Sequence, residues 1–405
     1  MIRIVQKYGG TSIGNANRIK NVANRVSKNT SLGQQVIVVV SAMGDTTDQL
    51  LSIANQVSNS PDPRELDILL STGESVSSSL LAMALRSIGI EAISLSGFQA
   101  GIRTDSTHGK ARINHVDTAR LERELTLNKV VIVAGFQGVT ADMDITTLGR
   151  GASDTTAVAL AAALGAKRCE IFTDVEGIYT ADPRVVSNAK KLKEIDYEEM
   201  LELASLGAKM NPRSIELGSI YRVPIYVTSS LVDSKGTLIH EGAKNMEKRK
   251  KVTGVAYDLD VAKITIRGVP DRPGIAATIF EPLVRESISV DTIVQNASIE
   301  KLTDLSFTIE RSDLQKALDV INPVIQDVGG NRVTSDNRLG KVGVVGSGMQ
   351  NSSGYAARMF RALSNEGINI EMITTSDIRI TCIVAEDKIK DAVNALHTAF
   401  ELEKP

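Results

Sequence analysis

The chain is predicted to be an α/β protein, a sandwich on a mostly parallel sheet followed by two small ferredoxin-like units. Three observations lead there. Over residues 1–245, short apolar runs alternate with helical stretches, the pattern of parallel strands joined by crossover helices. From about residue 263 the chain repeats itself, which marks a duplicated supersecondary unit. Finally, glycine- or serine-bearing turns follow three of the strand-like runs, the place where open α/β sheets bind ligands.

In chain order, strands are expected at 3–7, 35–40, 91–95, 130–134, 170–173 and 224–228, with helices at 17–27, 46–57, 64–87 and 154–164. The ligand-side turns are Gly9-Gly10, Ser41-Ala42-Met43-Gly44 and the loop from Gly149 to Ser153. That last loop leads into Ala157-Val158-Ala159-Leu160-Ala161-Ala162-Ala163-Leu164, strong helix formers. Ser153 or Asp154 is therefore expected as N-cap, leaving free N–H groups and the positive end of the helix dipole facing the loop. Such an end binds anions. Arg150 adds a planar fork for a carboxylate or phosphate.

The polar stretch 235–253, with Lys248-Arg249-Lys250-Lys251, reads as a connector. Beyond it, Gly274, Phe280 and Leu283 recur without gaps as Gly354, Phe360 and Leu363. The register continues through Glu286/Glu366, Ile288/Ile368 and Ile293/Ile373. Each copy predicts a strand (263–267, 341–345), a glycine-bearing turn, a helix and a second strand (289–294, 369–374). Later strands (305–309, 379–384) and helices (312–321, 388–400) complete a βαββαβ unit. The resulting boundaries are 1–245, a linker at 246–262, and repeats at 263–338 and 339–405.

Composition bounds the chemistry. At 405 residues and 42% apolar, two or three domains with real cores are expected. A net charge of −2 leaves no cationic excess to displace counterions from nucleic acid. Cys169 and Cys382 stand far apart without CxxC spacing, so neither a disulfide framework nor a zinc site is expected, and a reducing cytoplasm fits. No leader or membrane span is expected. His108, His115, His240 and His397 are read as isolated, structural or surface residues.

With these segments placed, the whole chain resembles the monofunctional aspartokinases (aspartate kinases), an amino-acid-kinase domain followed by two ACT domains. The resemblance rests on Lys7-Tyr8-Gly9-Gly10-Thr11-Ser12, on Val40 to Asp48, on Gly73-Glu74 and on Thr147 to Ala157. It continues through Thr173-Asp174-Val175, Tyr179-Thr180-Ala181-Asp182-Pro183-Arg184 and Met200 to Lys209. In the repeats it rests on Val269 to Gly274, Val290 to Asn296 and Gly367 to Ser376. The implied fold is the amino-acid-kinase (carbamate-kinase-like) sandwich with two ferredoxin-like ACT domains. Three departures are visible: Ala152 where the family has glycine, a stretch from Lys209 to Arg213 one residue shorter than usual, and Gln350-Asn351-Ser352-Ser353 before Gly354. A left-handed backbone at 152 would cost alanine about 1–2 kcal/mol.

The resemblance implies transfer of the γ-phosphoryl of ATP, with Mg2+, to L-aspartate. Lys7 would stabilise the transferring group and Asp154 would organise Lys7, metal or transition state. Arg150 would grip the substrate carboxylate and Glu74 its ammonium, with Thr47 and Ser153 as hydroxyl donors. The nucleotide would meet Lys7, Tyr8, Gly9, Gly10, Ser41, Thr173, Asp174, Tyr179, Asp182, Arg184 and Lys209. No dedicated metal-binding residues are expected, since Mg2+ keeps water and phosphate ligands. Lysine, threonine or both would bind between paired ACT domains, at Asp271, Gly274, Ile275, Ala276, Asp291, Gln295, Asn369, Ile370, Ser376 and Asp377. A homodimer or higher oligomer through those domains follows, as do partners that include neither nucleic acid nor membrane. Met246 could open a separate regulatory subunit. Glutamate 5-kinase and acetylglutamate kinase share the fold without two ACT repeats. A different class, an amino-acid sensor with an inactive kinase domain, is opposed by the presence of Lys7, Glu74, Arg150 and Asp154.

Overall fold

The structure, a computed structural model, describes residues 1–242, 252–296, 302–349 and 353–404. The basic run at 248–251, Met246 and the turn at 350–352 lie outside the described residues. The chain divides into two compact units.

The first unit contains strands β1 (Arg3–Tyr8), β2 (Gln35–Val40), β3 (Ala92–Leu95), β4 (Ile102–Thr104), β5 (Ile113–Val116), β6 (Val130–Ala134), β7 (Gln137–Val139), β8 (Ile145–Thr147), β9 (Cys169–Thr173), β10 (Glu194–Asp196), β11 (Ile225–Ser229) and β12 (Thr237–His240). Its helices are α1 (Ala16–Ser31), α2 (Thr46–Val57), α3 (Pro63–Ser87), α4 (Ala119–Thr126), α5 (Ser153–Ala163), α6 (Tyr197–Ser205) and α7 (Pro212–Ile220). Eight strands form one sheet in the order β10-β12-β11-β9-β1-β2-β6-β3. All its pairings are parallel except β11 with β12. The central strands are buried on both faces, and the unbroken apolar runs of β2 and β6 reflect that. Ile4 and Tyr8 of β1 pack with Ile19, Val22 and Val26 of α1 and Leu81 and Leu85 of α3. Strand alternation therefore sends Lys7 to the opposite face, where α5 lies. A second sheet, β5-β4-β7-β8, is built from strands of three or four residues. Helix α3 is long and apolar enough to cross a membrane by length and composition, yet half of its most apolar window is buried. It also carries buried Asp67 and Glu74.

Two expectations change at the start of α5. The N-cap is Ala152, without a side-chain cap bond, so Ser153 and Asp154 are the first two helical residues and neither caps. Ala152 has φ −75° and is fully buried, so its methyl meets no left-handed strain. The left-handed positions are Gly149 (φ +96°) and Gly151 (φ +72°), on either side of Arg150.

The second unit contains β13 (Gly254–Pro270), α8 (Ile275–Arg285), β14 (Val290–Gln295), β15 (Leu302–Ile309), α9 (Leu314–Val328), β16 (Arg332–Val345), α10 (Tyr355–Asn365), β17 (Met372–Thr375), β18 (Arg379–Ala385) and α11 (Ile389–Ala399). Its six-stranded sheet runs β14-β15-β13-β16-β18-β17. Each repeat has its own core, one around Ile264, Ile279, Phe307 and Ile321, the other around Val344, Met359, Cys382 and Leu396. The repeat shows in the backbone too, since Gly274 (φ +92°) and Gly354 (φ +98°) both begin helices.

The boundary expectations need correction here. Residues 254–262 are strand rather than linker, because β13 runs unbroken from Gly254 to Pro270. The first part of β13 pairs with 341–345 of β16 and its later part with 332–339. The second ferredoxin unit thus takes a strand from before the first one. Thr180–Lys190 and Leu206–Ala208, read as catalytic-domain residues, also belong to the second unit. There Ala181 and Val186 pack into the core that holds Val342, Val393 and Leu396. His397, fully buried, shares a hydrogen bond of 3.0 Å with Thr180.

Candidate active site

The site of the first unit gathers at the carboxyl ends of β1, β2 and β9 and the start of α5. After β1 the chain turns through Gly9 and Gly10. A Cβ at Gly10 would stand 2.7 Å from the Ala42 carbonyl oxygen, so only glycine lets this turn lie against the loop after β2. The Gly44 N–H donates to the Gly10 carbonyl at 3.1 Å. Helix α3 buttresses that loop. A Cβ at Gly73 would lie 2.8 Å from the Ala42 Cβ, and Ser77 Oγ donates to the Ser41 carbonyl at 2.7 Å.

This close approach buries Glu74. Its Oε1 accepts from the Ala42 N–H at 3.0 Å, while Oε2 is buried without a hydrogen-bond partner. Burial pushes its pKa from 4.5 up to about 7, against the lowering effect of the Ala42 N–H. A buried carboxylate with a spare oxygen is arranged to receive a cation.

Across the sheet, Lys7 Nζ stands 2.7 Å from Asp154 Oδ1, with side chains 12% and 11% exposed. The lysine projects from the end of β1 and the carboxylate from the first turn of α5. Ser153, 4% exposed, lies so close to the chain that a Cβ at Gly135 would be 2.9 Å from its Oγ. Thr47 and Arg150 line one cavity of about 210 Å³ with Thr147 and Gly149. The Arg150 side chain is 80% exposed and lies 3.4 Å from Asp48. At the end of β9, Lys209 Nζ donates to both oxygens of Asp174 at 2.7 and 2.9 Å. Burial raises the Asp174 pKa, but the Lys209 bond and charge outweigh it and hold the carboxyl below its ordinary value.

Other expected positions fall differently. Tyr8 is fully buried and stacks on Phe172 at 4.7 Å, so only its backbone is available to a ligand. Thr173 donates to Asp174 at 3.1 Å, and Tyr179 bridges to Lys191. Asp182 and Arg184 belong to the second unit and pair with each other at 2.6 Å. Three of the four histidines are not isolated: His108 meets buried Asp67 at 2.8 Å, His240 meets Glu194, and His397 meets Thr180.

In the second unit, Asp291 already faces a cation, Lys341 Nζ at 2.9 Å, and Asn369 donates to Glu371 at 3.1 Å. Lys263 pairs with the same Glu371 at 2.8 Å. Asp271, Ala276, Gln295, Ser376 and Asp377 are exposed, Ile370 is half-buried and Ile275 is buried. Among the described residues no group of three or more His, Cys, Asp or Glu side chains is placed to hold a metal ion. Sequence reasoning missed two contributors, Asn211 and Arg213, whose contacts with the Arg150 loop depend on tertiary packing.

Two lysines, glycine turns that free backbone N–H groups, and a helix start suit an anionic phosphate chain. A spare buried carboxylate and an exposed guanidinium suit the ammonium and carboxylate of an amino acid.

Comparison with known proteins agrees. Residues 3–229 match the amino acid kinase family, and 264–323 and 342–400 match the ACT domain. The aspartokinase of Pseudomonas aeruginosa is 48% identical, over 100% of this chain and 99% of its own. E. coli aspartokinase III, solved with aspartate and ADP in an R-state, is 27% identical over 98% of this chain and 99% of its own, with TM-score 0.84. Its T-state, solved with lysine and aspartate, gives 26% identity and TM-score 0.72 over the same shares. The chain belongs to the aspartokinase family, enzymes that join an amino-acid-kinase domain to ACT domains.

Proposed function

We propose that this enzyme transfers the γ-phosphoryl group of ATP to the side-chain carboxylate of L-aspartate, forming 4-phospho-L-aspartate and ADP. The observation that carries this reading is the largely shielded pair of Lys7, at the end of β1, and Asp154, in the first turn of α5, 2.7 Å apart. Phosphoryl transfer to a carboxylate asks the protein for positioned reactants and fixed cations rather than a base. A carboxylate is already ionised at neutral pH. One of its oxygens attacks the γ-phosphorus, the bond to the β,γ-bridging oxygen breaks, and its electron pair leaves with ADP.

In this reading Lys7 meets the charge that spreads over the transferring group, and Asp154 holds Lys7 in place. Glu74 receives the substrate ammonium on Oε2. Arg150 grips the α-carboxylate, and Thr47 and Ser153 donate hydroxyls. Gly9, Gly10, Ser41, Thr173, Asp174, Tyr179 and Lys209 serve the nucleotide. Mg2+ bound to ATP would neutralise phosphate charge, with few protein ligands. The products feed the lysine, threonine and methionine branches, and buried free thiols accord with a cytoplasmic setting.

Lysine and/or threonine would inhibit through the ACT repeats, at a site including Asp271, Asp291, Gln295 and Asn369 in a homodimer or larger assembly. The lysine complex of the E. coli relative supports this. Gln295→Ala should leave uninhibited turnover intact and weaken inhibition by about 1–3 kcal/mol of coupling. Indifference to millimolar lysine plus threonine, with no calorimetric binding of either, contradicts this regulation. The phosphotransfer itself is tested by ADP release with aspartate against glutamate.

A further inference from the structure

The loop from Leu148 to Ser153 has little of its own to hold it. Gly149 and Gly151 both adopt left-handed conformations around Arg150. The loop's own bonds include Ala152 N–H to the Gly149 carbonyl at 3.1 Å and Asp154 N–H to the Gly151 carbonyl at 3.4 Å. The ion pair of Arg150 with Asp48 is 3.4 Å long between side chains 80% and 71% exposed, which fixes nothing in water. The direction of the guanidinium is therefore set by the backbone that carries it.

That backbone is held by the first turn of α7. Asn211 Nδ2 donates to the Arg150 carbonyl at 3.3 Å. Arg213 Nη1 donates to the Leu148 carbonyl at 2.6 Å, and Nη2 to the Ala111 carbonyl at 2.9 Å. Asn211 is itself locked, since its Oδ1 accepts from the Arg213 N–H at 3.0 Å as N-cap of α7 and from Thr155 Oγ1 at 3.4 Å. A half-buried guanidinium that spends two donors on main-chain carbonyls is a costly way to stabilise a fold. Burial and the nearby Arg112 both pull its pKa down. On the far side, buried Asp67 accepts from Thr147 Oγ1 and the Gly109 N–H, while the Ala111 N–H donates to the Thr147 carbonyl at 2.9 Å. The loop is thus braced at residues 147, 148 and 150.

We propose that Asn211 and Arg213 are positioning residues for substrate recognition, aiming Arg150 by fixing the carbonyls of Leu148 and Arg150. The proposal rests on the reading of Arg150 as the ligand of the aspartate carboxylate. It assigns the shortened stretch from Lys209 to Arg213 a specific task. Lys209 serves the nucleotide side through Asp174, and the residues just after it serve the acceptor side.

The test separates aiming from folding. Asn211→Asp and Asn211→Ser both keep an N-cap acceptor but lose the amide Nδ2 donor that reaches the Arg150 carbonyl. Each should raise the aspartate KM about three- to tenfold, the range of one modest hydrogen bond. The ATP KM should stay within about twofold and the melting temperature should be nearly unchanged. Arg213→Lys, which keeps charge but not the two-pronged reach, should act in the same direction. Asn211→Ser combined with Arg150→Lys should be no worse for aspartate than Arg150→Lys alone, because the asparagine acts through the arginine. Unchanged aspartate KM in both Asn211 variants, or aspartate and ATP KM rising together, overturns the inference. If Arg150→Lys itself leaves the aspartate KM unchanged, the underlying reading fails and the inference with it. A raised KM there beside unaffected Asn211 variants sinks the inference alone.

Discussion

Replacing Glu74 by glutamine separates the cost of a buried charge from its use. The carboxylate is 3% exposed, one oxygen has no hydrogen-bond partner, and burial raises its pKa from 4.5 to about 7. At about 1.4 kcal/mol per pH unit, the folded protein carries a penalty of about 3 kcal/mol once the group is ionised. The sign follows from proton counting. Between pH 4.5 and about 7 the folded state keeps a proton that the unfolded chain has released, so stability falls as pH rises, and the penalty is complete above about 7. Glutamine keeps an acceptor for the Ala42 N–H and cannot ionise. Its buried NH2 group lacks a partner, which costs about 1–3 kcal/mol at every pH. The informative quantity is therefore the change in the difference between the two proteins. Urea unfolding followed by circular dichroism at about pH 5 and pH 8 should shift that difference by about 2–3 kcal/mol in favour of Glu74→Gln. The same charge that costs stability should serve the substrate ammonium. The wild-type aspartate KM should rise as pH falls below about 7, whereas the variant's should be high and flat. Parallel stability differences at both pH values would refute the burial argument, and an unchanged aspartate KM would remove Glu74 from recognition.

Other consequences are simpler to read. Lys7→Met should reduce kcat by about two to three orders of magnitude, the cost of losing a transition-state cation of about 3–4 kcal/mol, with circular dichroism unchanged; turnover within a few-fold of wild type removes Lys7 from its role. Arg150→Lys should raise the aspartate KM far more than the ATP KM, because the point charge remains without the fork; the opposite pattern would move Arg150 to the phosphates. Ala152→Gly, which restores the glycine usual in the family, should lower stability by roughly 1 kcal/mol, since the backbone there is not left-handed and the buried methyl is lost; a gain measured by calorimetry would contradict the geometry. Cys169 and Cys382 are buried and burial pushes both thiols up, Cys382 to about 12, so a thiol reagent should label neither until denaturant is added.

The central strands were legible because parallel strands buried on both faces must be continuously apolar, as 36–40 and 130–134 are. Strands β4, β7 and β8 were not, since three residues carry no period. The repeat at Gly274 and Gly354 was visible, but nothing local tells that β13 runs on through one unit into its neighbour. Nor does the Asp182-Pro183-Arg184 turn announce that its segment packs around buried His397 some two hundred residues later. At the site, the resemblance already tied Asp154 to Lys7, and the geometry of their meeting follows from strand alternation and the start of α5. The N-cap expectation failed because Ala152, not a polar residue, precedes the first helical turn. Asn211 and Arg213 were passed over because their task is defined only by the carbonyls they reach.

The most direct test is to incubate the purified enzyme with ATP, Mg2+ and either L-aspartate or L-glutamate, trapping any acyl phosphate with hydroxylamine. Aspartate should yield stoichiometric ADP and a hydroxamate, glutamate should yield neither above background, and Lys7→Met should slow both signals by about two to three orders of magnitude. ADP release without hydroxamate, or equal turnover of the two amino acids, would contradict the proposed phosphorylation of aspartate.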